Sequence, residues 1–381
     1  MKRLDLVFFD AGGGHRAAAN ALRQVIAGQD RPWEVRLINL QEVLDPLDVF
    51  RKLTRIRLQD IYNLMLRKGW TLGSPQFLRF MHDVIRLYHR PAVKLLQKFW
   101  TEEQPDLVVS LVPNFNRALG ESLRRALPRV PFVTILTDLA DYPPHFWIER
   151  QEQFLICGTA RAASQARAVG HAEARIFRTS GMILSPRFYE PSVLDRSADR
   201  RKLGLDPDLP TGLVLFGGHG SRKMLDIARR LDTSGLKVQL ILICGRNDAL
   251  AGELKKMPHR IRMFVEGFTT EVPYYMRLSD FFIGKPGPGS ISEALALKLP
   301  VLVERNAWTL PQERYNADWI VEQQLGIVLK NFRFIVQAVA ELLQPENYRR
   351  FHANAAAQEN RAVFEIPGIL EKILHTCESR S

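Results

Sequence analysis

The sequence has few cysteines and no long uninterrupted apolar segment. Its three cysteines, Cys157, Cys244 and Cys377, are far apart and form no CxxC pair, which argues against a disulfide framework and a cysteine-based zinc site. No run of about 18 apolar residues occurs, so we expect no membrane-spanning helix. Asp5 and Asp10 interrupt the first apolar run, which does not fit a secretion signal. These absences predict a protein of the reducing cytoplasm.

Length and composition indicate two globular domains. The chain has 381 residues, which is more than one ordinary core accommodates. Apolar residues make up 46% and charged residues 25% of the sequence, which are ordinary values for a folded enzyme. We therefore expect the chain to fold throughout as two α/β domains of typical size.

Positive charge is concentrated in residues 51–100. This segment has eleven Lys or Arg and two acidic residues, which gives +9 of the total net charge of +12. Aromatic side chains lie between the charges: Trp70, Phe77, Phe80, Tyr88, Phe99 and Trp100. Such a pattern suits an anionic membrane surface, although solvated helix faces with aromatic residues in the core would also produce it. We expect no nucleic-acid partner, because no nucleic-acid-reading motif accompanies the charge.

Short apolar runs alternate with helical stretches along the chain. The predicted strands lie at residues 4–10, 35–40, 106–112, 131–138, 238–245, 262–268, 280–284 and 300–304 and at the start of residues 211–231. This alternation is typical of parallel sheets covered by helices on both faces. The sequence therefore predicts two doubly wound, Rossmann-like α/β domains facing a cleft.

The predicted boundaries follow changes in composition. Residues 1–184 form the first domain, and a linker rich in proline and charge occupies residues 185–210. Residues 211–345 form the second domain, and residues 346–381 form C-terminal helices. Pro345 and Pro367 are expected to break the helical stretch that contains them.

A glycine turn with a histidine follows the first predicted strand. Gly13 and Gly14 precede His15 at the start of a predicted helix, where free backbone N–H groups favour an anion. The spacing is not GxGxxG, so a nicotinamide or flavin site is not expected. A histidine at this place could be a general base or an anion ligand, or it could simply cap the helix.

A second glycine turn, with Gly218, His219, Gly220 and Ser221, follows the first strand of the second domain. It favours a diphosphate at the start of the next helix. A turn required only by sterics would have the same sequence. On its own, this motif is therefore a weak indication of nucleotide binding.

A third turn agrees with the second. Residues 284–294 read GKPGPGSISEA, a glycine and proline turn after a strand, followed by a helix that carries Glu293. A carboxylate there can accept two hydrogen bonds from the vicinal hydroxyls of a sugar, or it could merely be a favourable acid at a helix start. The sequence Asp206-Pro207-Asp208 is formally DxD but fits a turn, so we expect no metal site and no resident cofactor.

The motifs GGGHR, TDL, GGHGS, EGF, KPGPGSISEA and LPQE, in this order, resemble the monogalactosyldiacylglycerol synthase group of glycosyltransferase family 28. Diacylglycerol glucosyltransferases and the transferase that forms lipid II are related to this group. The resemblance is strongest at 211–325 and 8–26 and weakest at 45–100. It implies the GT-B fold, a UDP-sugar donor (UDP-galactose or UDP-glucose), inversion, peripheral membrane association, and C-terminal helices that pack on the first domain.

The resemblance also implies roles for individual residues. His15 would be the base or relay for the acceptor hydroxyl, with Asp138 as its carboxylate partner. Glu293 would bind the ribose hydroxyls, and Phe268 would flank the uracil. Contacts to the rest of the donor would come from Gly13, Gly14, Gly218, His219, Gly220, Ser221, Lys285, Gly287, Gly289, Ser290, Gln312 and Glu313.

The predicted function is therefore inverting transfer of a hexose from a UDP-sugar to a lipid acceptor such as diacylglycerol, at the inner face of the cell membrane. Residues 110–116 lack a histidine that many relatives have there, which leaves the acceptor open. The first alternative is a UDP-sugar enzyme with a soluble acceptor, or a UDP-sugar 2-epimerase. A more remote alternative is a non-catalytic membrane-binding protein, against which an intact His15, Asp138 and Glu293 argue.

Overall fold

The computed structural model of the protein describes residues 1–10, 13–47, 85–142, 145–191 and 194–379. These residues form two units. The first takes its residues from Met1–Leu66, Gly73–Pro186 and Asn360–Ser381, and the second from Arg187–Glu359. Most of the basic segment at 51–100 lies outside the described residues. Within the described part of the chain, no helix is both long enough and apolar enough to span a bilayer.

The first unit contains a parallel sheet of six strands in the order β2-β1-β3-β4-β5-β6. The strands are β1 (Lys2–Phe8), β2 (Trp33–Asn39), β3 (Leu107–Ser110), β4 (Phe132–Ile135), β5 (Phe154–Cys157) and β6 (Ile176–Arg178). The helices between them are α1 (Gly14–Ala27), α2 (Leu40–Leu44), α3 (His89–Glu103), α4 (Asn116–Ala126) and α5 (Ala160–Val169). Every residue of β3 and β4 is buried, as expected for strands that helices cover on both faces.

The strand order of this sheet reverses at β1, which pairs with both β2 and β3. Where the order reverses, the connections after two neighbouring strands leave on opposite faces and a crevice opens at the carboxyl ends of those strands. His15 follows β1 and lies at the start of α1. The glycine turn is therefore at the position of the sheet where ligands usually bind.

The second unit has a parallel six-stranded sheet in the order β12-β11-β10-β7-β8-β9. The strands are β7 (Thr211–Leu215), β8 (Gln239–Ile243), β9 (Met263–Glu266), β10 (Phe281–Gly284), β11 (Val301–Glu304) and β12 (Gly326–Leu329). The helices are α6 (Arg196–Lys202), α7 (Lys223–Asp232), α8 (Asp248–Lys256), α9 (Val272–Arg277), α10 (Pro288–Ala296), α11 (Arg314–Glu322), α12 (Ile335–Leu342) and α13 (Pro345–Ala356). This sheet reverses between β7 and β10, and the predicted pair of doubly wound α/β domains is confirmed.

The last helix, α14 (Ala362–Glu378), packs in the first unit. Its Leu370 is buried in the same core cluster as Ile26 of α1. Pro367 lies inside this helix, so the break expected there is wrong: burial of the apolar face outweighs the one hydrogen bond that proline removes. Pro345 is the first residue of α13, where a missing N–H costs nothing.

The segment at 185–210, where we expect a linker, contains the 3₁₀ turn Pro186–Phe188 and helix α6. Arg200 of α6 is 3% exposed. Its guanidinium donates to the carboxylate of Asp280 at 2.7 Å and to the carbonyl oxygen of Leu278 at 2.9 Å. Because these partners belong to the second unit, α6 is anchored to that unit by a buried charged pair.

Candidate functional site

Two loops of the second unit meet at the switch point of its sheet. The loop after β7 contains Gly217, and the loop after β10 begins with Lys285. A Cβ atom added to Gly217 would lie 3.8 Å from Cε of Lys285, and one added to Gly287 would lie 3.2 Å from the same atom and 3.6 Å from Oε1 of Glu313. The predicted residues Lys285, Gly287 and Glu313 are therefore brought together beside the first glycine loop.

Close backbone packing requires glycine at Gly220 of the first loop and at Gly245 of the loop after β8. Gly220 has a φ of +60°, and a Cβ atom there would lie 2.6 Å from the carbonyl oxygen of Cys244. The Gly218 carbonyl accepts the Arg246 N–H at 2.9 Å, and a Cβ atom on Gly245 would lie 2.4 Å from that same oxygen. Only glycine fits at these positions, so the loop after β7 is held tightly against the loop after β8.

The start of α10 offers free backbone donors. Gly287 caps the helix without a side-chain hydrogen bond, and Pro288 is its first residue. The N–H groups of Gly289 and Ser290 belong to the first turn, where no intrahelical acceptor exists, and Gly289 is exposed. Such a helix end attracts phosphate. The Lys285 ammonium lies 3.0 Å from the Glu313 carboxylate, which places a cation next to this helix end.

Glu293 is a partly buried carboxylate on the same helix. It is the sixth residue of α10, so a favourable charge in the first helical turn does not explain its presence. Within the part of the chain that the structure describes, it has neither a hydrogen bond nor an ion pair, and burial raises the pKa of its carboxyl group to about 7. A desolvated carboxylate without a protein partner is a typical ligand-binding group.

Phe268 follows β9 and is 57% exposed. The Arg246 guanidinium lies 4.7 Å from the centre of its ring. An exposed aromatic face of this kind can stack on a planar base, and Arg246 adds positive charge at the same edge of the sheet. Sequence reasoning missed Arg246, although its position directly after a strand and a glycine could have indicated it.

The remaining predicted residues of the second unit lie in or next to these loops. Ser221 accepts the Lys223 N–H at 3.3 Å at the start of α7, and the His219 carbonyl accepts a hydrogen bond from Asn247 at 3.4 Å. Gln312 is half-buried in the 3₁₀ turn Pro311–Glu313. Sequence reasoning also missed Asn316, a buried amide that donates to the carbonyl of Pro286 at 2.8 Å and so fixes the loop after β10.

His15 is the central group of the first unit. Gly13 caps α1 with a φ of +82°, and Gly14 begins the helix. His15 Nδ1 lies 3.0 Å from the hydroxyl of Thr137. Burial lowers the pKa of the imidazole to about 4, partly opposed by the backbone carbonyl of Leu111. The ring is therefore neutral at physiological pH, as a group that accepts a proton must be.

Asp138 lies next to Thr137 in the chain but makes a different contact. Its Oδ2 accepts the indole N–H of Trp147 at 2.8 Å. Trp147 is fully buried, and its ring centre lies 5.9 Å from that of His15. Asp138 therefore contacts the Trp147 indole, and His15 lies next to the same ring. Thr137 and Trp147 are further residues that the sequence analysis did not assign to the site.

In the part of the chain that the structure describes, no group of three His, Cys, Asp or Glu side chains is placed to hold a metal ion. The formal DxD sequence forms a turn in which the Asp206 carboxylate accepts the Asp208 N–H at 2.9 Å. Among the described residues, the groups at the two sheet edges are backbone donors, carboxylates, the imidazoles of His15 and His219, and a few cations.

Two family models match the chain. The model for the glycosyltransferase family 28 C-terminal domain matches residues 213–366, and that for monogalactosyldiacylglycerol (MGDG) synthase matches residues 15–181. Chloroplastic monogalactosyldiacylglycerol synthase of Spinacia oleracea is 28% identical over 98% of this chain and 73% of its own length. The probable chloroplastic enzyme of Glycine max is 30% identical over 91% of this chain and 66% of its own length.

Solved structures show the same fold. The UDP co-structure of S. aureus MnaA superposes with a TM-score of 0.62 and 18% identity, covering 98% of this chain and 97% of its own. MurG of Acinetobacter baumannii has a TM-score of 0.61 and 12% identity, with 98% and 100% covered. At such identities the likeness establishes the fold alone, and that fold is GT-B.

Proposed function

Because this chain belongs to glycosyltransferase family 28, in the group of the monogalactosyldiacylglycerol synthases, we propose that it transfers a hexose from a UDP-sugar to a diacylglycerol-like lipid with inversion. The observation that carries the proposal is the meeting of two glycine loops, a free helix end and Glu293, which has no partner among the described residues, at one sheet edge. A nucleoside diphosphate needs this combination, because it presents both phosphates and a ribose diol.

In the proposed donor complex, the Glu293 carboxylate accepts hydrogen bonds from the two ribose hydroxyls. The N–H groups of Gly289 and Ser290 bind the diphosphate, and Phe268 stacks on the uracil. Further donor contacts come from the glycine loops, with Gly13, Gly14, Gly218, His219, Gly220 and Ser221, and from the hexose-binding pair Gln312 and Glu313. UDP-galactose and UDP-glucose are the donors we expect first.

In the proposed reaction, His15 takes the proton of the acceptor hydroxyl as the hydroxyl oxygen attacks the anomeric carbon. The bond between that carbon and the diphosphate oxygen breaks, and UDP leaves with the bonding electrons. Negative charge grows on the diphosphate, where helix ends and nearby cations stabilise it most. Arg222 directly precedes α7, and Lys285 lies in the loop that leads into α10. Their side chains supply that positive charge.

We place the acceptor lipid at a membrane surface. The excess of basic and aromatic residues at 51–100 favours association with anionic lipid, and the protein would then act as a peripheral enzyme at the inner face of the membrane. Of this segment, the structure describes residues 85–100, in which Lys94 and Lys98 of α3 are exposed and Trp100 is buried in the core. Adsorption to the bilayer would concentrate the enzyme beside an acceptor that does not dissolve in water.

The proposal is tested by UDP release from a panel of UDP-sugars, with and without diacylglycerol in anionic liposomes. Turnover that requires both a UDP-hexose and diacylglycerol is expected. Release that is unchanged by lipid would favour a soluble acceptor. Incorporation of solvent deuterium at the sugar C2 in the absence of acceptor would instead establish an epimerase and overturn the proposal.

A further inference from the structure

The structure assigns to the Thr137 hydroxyl the role of orienting the His15 ring. Asp138 contributes indirectly, because it holds Trp147 next to the imidazole. This inference rests on the proposed function, because it concerns how the proposed base is held. The sequence analysis expects Asp138 itself to contact the histidine, whereas the inference gives that contact to Thr137. Thr137 is thus a positioning residue rather than a catalytic one.

The first observation is the contact of Thr137. It follows β4 at the carboxyl edge of the sheet, and its Oγ1 lies 3.0 Å from Nδ1 of His15 across 122 residues of sequence. A threonine hydroxyl both donates and accepts, so it can accept the Nδ1–H proton. A hydroxyl can also donate to an unprotonated Nδ1, so the distance alone fits either tautomer; in the inferred arrangement the hydroxyl accepts from Nδ1–H. With Nδ1 protonated, Nε2 keeps the lone pair that receives the acceptor's proton.

The second observation is how Trp147 is fixed. Its indole N–H donates to Asp138 at 2.8 Å and its backbone N–H donates to Asp141 at 2.7 Å. Its carbonyl accepts from the buried Asn116 amide at 3.0 Å. Trp147 is thus held next to His15 by one hydrogen bond from its ring and two from its backbone. The contact of Asp138 uses an acceptor oxygen, which an amide oxygen would also provide.

The protonation behaviour of His15 agrees with this arrangement. A carboxylate in direct contact with an imidazole favours the charged ring and raises its pKa. Burial instead lowers the pKa of His15 to about 4, opposed only in part by the backbone carbonyl of Leu111, and the neutral hydroxyl beside Nδ1 adds no charge that would raise it. In a conventional histidine and aspartate pair, the carboxylate orients the ring. Here a hydroxyl orients the neutral ring, so removing the charge of Asp138 should have a smaller effect on activity.

The test compares kcat and donor KM of four variants at saturating lipid. T137V keeps the shape of the side chain and removes the hydroxyl, so we expect kcat to fall at least about tenfold with donor KM unchanged. T137S restores the hydroxyl and should recover most of the activity. D138N keeps an acceptor for Trp147 and should lose no more than about tenfold. T376V, on the exposed face of α14, is the control that leaves kcat unchanged.

Two results would overturn the inference. The first is a T137V enzyme with the wild-type kcat. The second is a D138N enzyme that loses about a thousandfold or more, as expected where a carboxylate itself fixes the histidine tautomer. Unfolding midpoints of all variants show whether T137V folds. If it does not, the comparison rests on T137S and D138N.

A readout that does not depend on turnover separates this inference from the proposed function. The ¹⁵N chemical shifts of the His15 ring should show protonated Nδ1 in the wild-type protein and a mixture of tautomers in T137V. A wild-type ring protonated at Nε2 overturns the inference even in an active enzyme. The expected shifts in a protein that transfers no hexose would support the inference and count against the proposed function.

Discussion

Replacing Glu293 by glutamine should make the protein more stable and weaken its binding of UDP. The carboxyl group is partly buried and has no partner among the described residues, and burial raises its pKa from the ordinary value of 4.5 to about 7. Because a tenfold change in a proton equilibrium corresponds to about 1.4 kcal/mol, this difference amounts to about 3 kcal/mol. The partial exposure of the side chain reduces it, so we expect E293Q to gain about 1–3 kcal/mol above pH 7.

The gain must depend on pH with a definite sign. A carboxyl group whose pKa is raised in the folded state binds its proton more tightly there, so its contribution to stability is complete below about pH 4.5 and is lost as the pH rises through about 7. Glutamine has no such dependence. Urea unfolding of both proteins at several pH values should therefore give equal stability near pH 4.5 and a growing advantage for E293Q up to pH 8.

UDP binding should show the opposite preference. The ribose hydroxyls donate to the ionised carboxylate, so the affinity of the wild-type protein should rise as the pH increases towards 8. E293Q should bind at least about tenfold more weakly. The terminal phosphate of UDP also titrates near pH 6, and the pH dependence measured with E293Q accounts for that contribution. Isothermal titration calorimetry at pH 6 and pH 8 gives all four values.

A matched control and a clear refutation exist for this prediction. Glu322 is an exposed glutamate at the end of α11, and E322Q should change neither stability nor UDP affinity. The reasoning is refuted by an E293Q protein whose stability relative to wild type does not change with pH, or by one that binds UDP as tightly as the wild-type protein.

Substitutions at Gly220, Lys285 and Arg200, two of them with a comparison variant, test the second unit. G220A places a Cβ atom 2.6 Å from the Cys244 carbonyl oxygen. It should therefore destabilise the protein by about 1–3 kcal/mol in urea unfolding and weaken UDP binding. The comparison variant G252A, in the middle of α8 where a Cβ atom meets no neighbour, should instead stabilise the protein by up to about 1 kcal/mol. K285M removes the ion pair with Glu313 and should weaken UDP binding about tenfold by calorimetry, a change that K285R should partly reverse. R200M leaves Asp280 without its buried partner and should lower stability by about 3 kcal/mol in urea unfolding.

Of the strands in the middle of the two described sheets, all but β5 could be predicted, whereas two of the four edge strands, β6 and β12, could not. β3 and β4 are continuous apolar runs because both of their faces are buried. The sequence analysis missed β5, β6 and β12. The edge strands β6 and β12 are three and four residues long and only partly buried, so neither strand has a long apolar run or an alternating pattern.

Residues of the candidate site could be predicted from the sequence where the local backbone conformation requires a particular residue type. Glycine is required at Gly220 by its positive φ and its contact with Cys244, and that requirement is visible as a glycine cluster after a strand. Thr137 and Trp147 were not predictable in this way. Each acquires its role through a contact with a residue that is distant in sequence, as Thr137 does with His15, and no local pattern encodes such a contact.

The central claim is hexose transfer to diacylglycerol, and the most direct measurement is the product itself. Wild-type protein and H15A are incubated with isotopically labelled UDP-galactose or UDP-glucose and diacylglycerol in anionic liposomes, and the lipids are analysed by mass spectrometry and NMR. We predict a labelled hexosyldiacylglycerol in the β configuration, as inversion of an α-linked donor requires, and none with H15A. Label that never enters the lipid, or an α-linked product formed equally by H15A, would contradict the account.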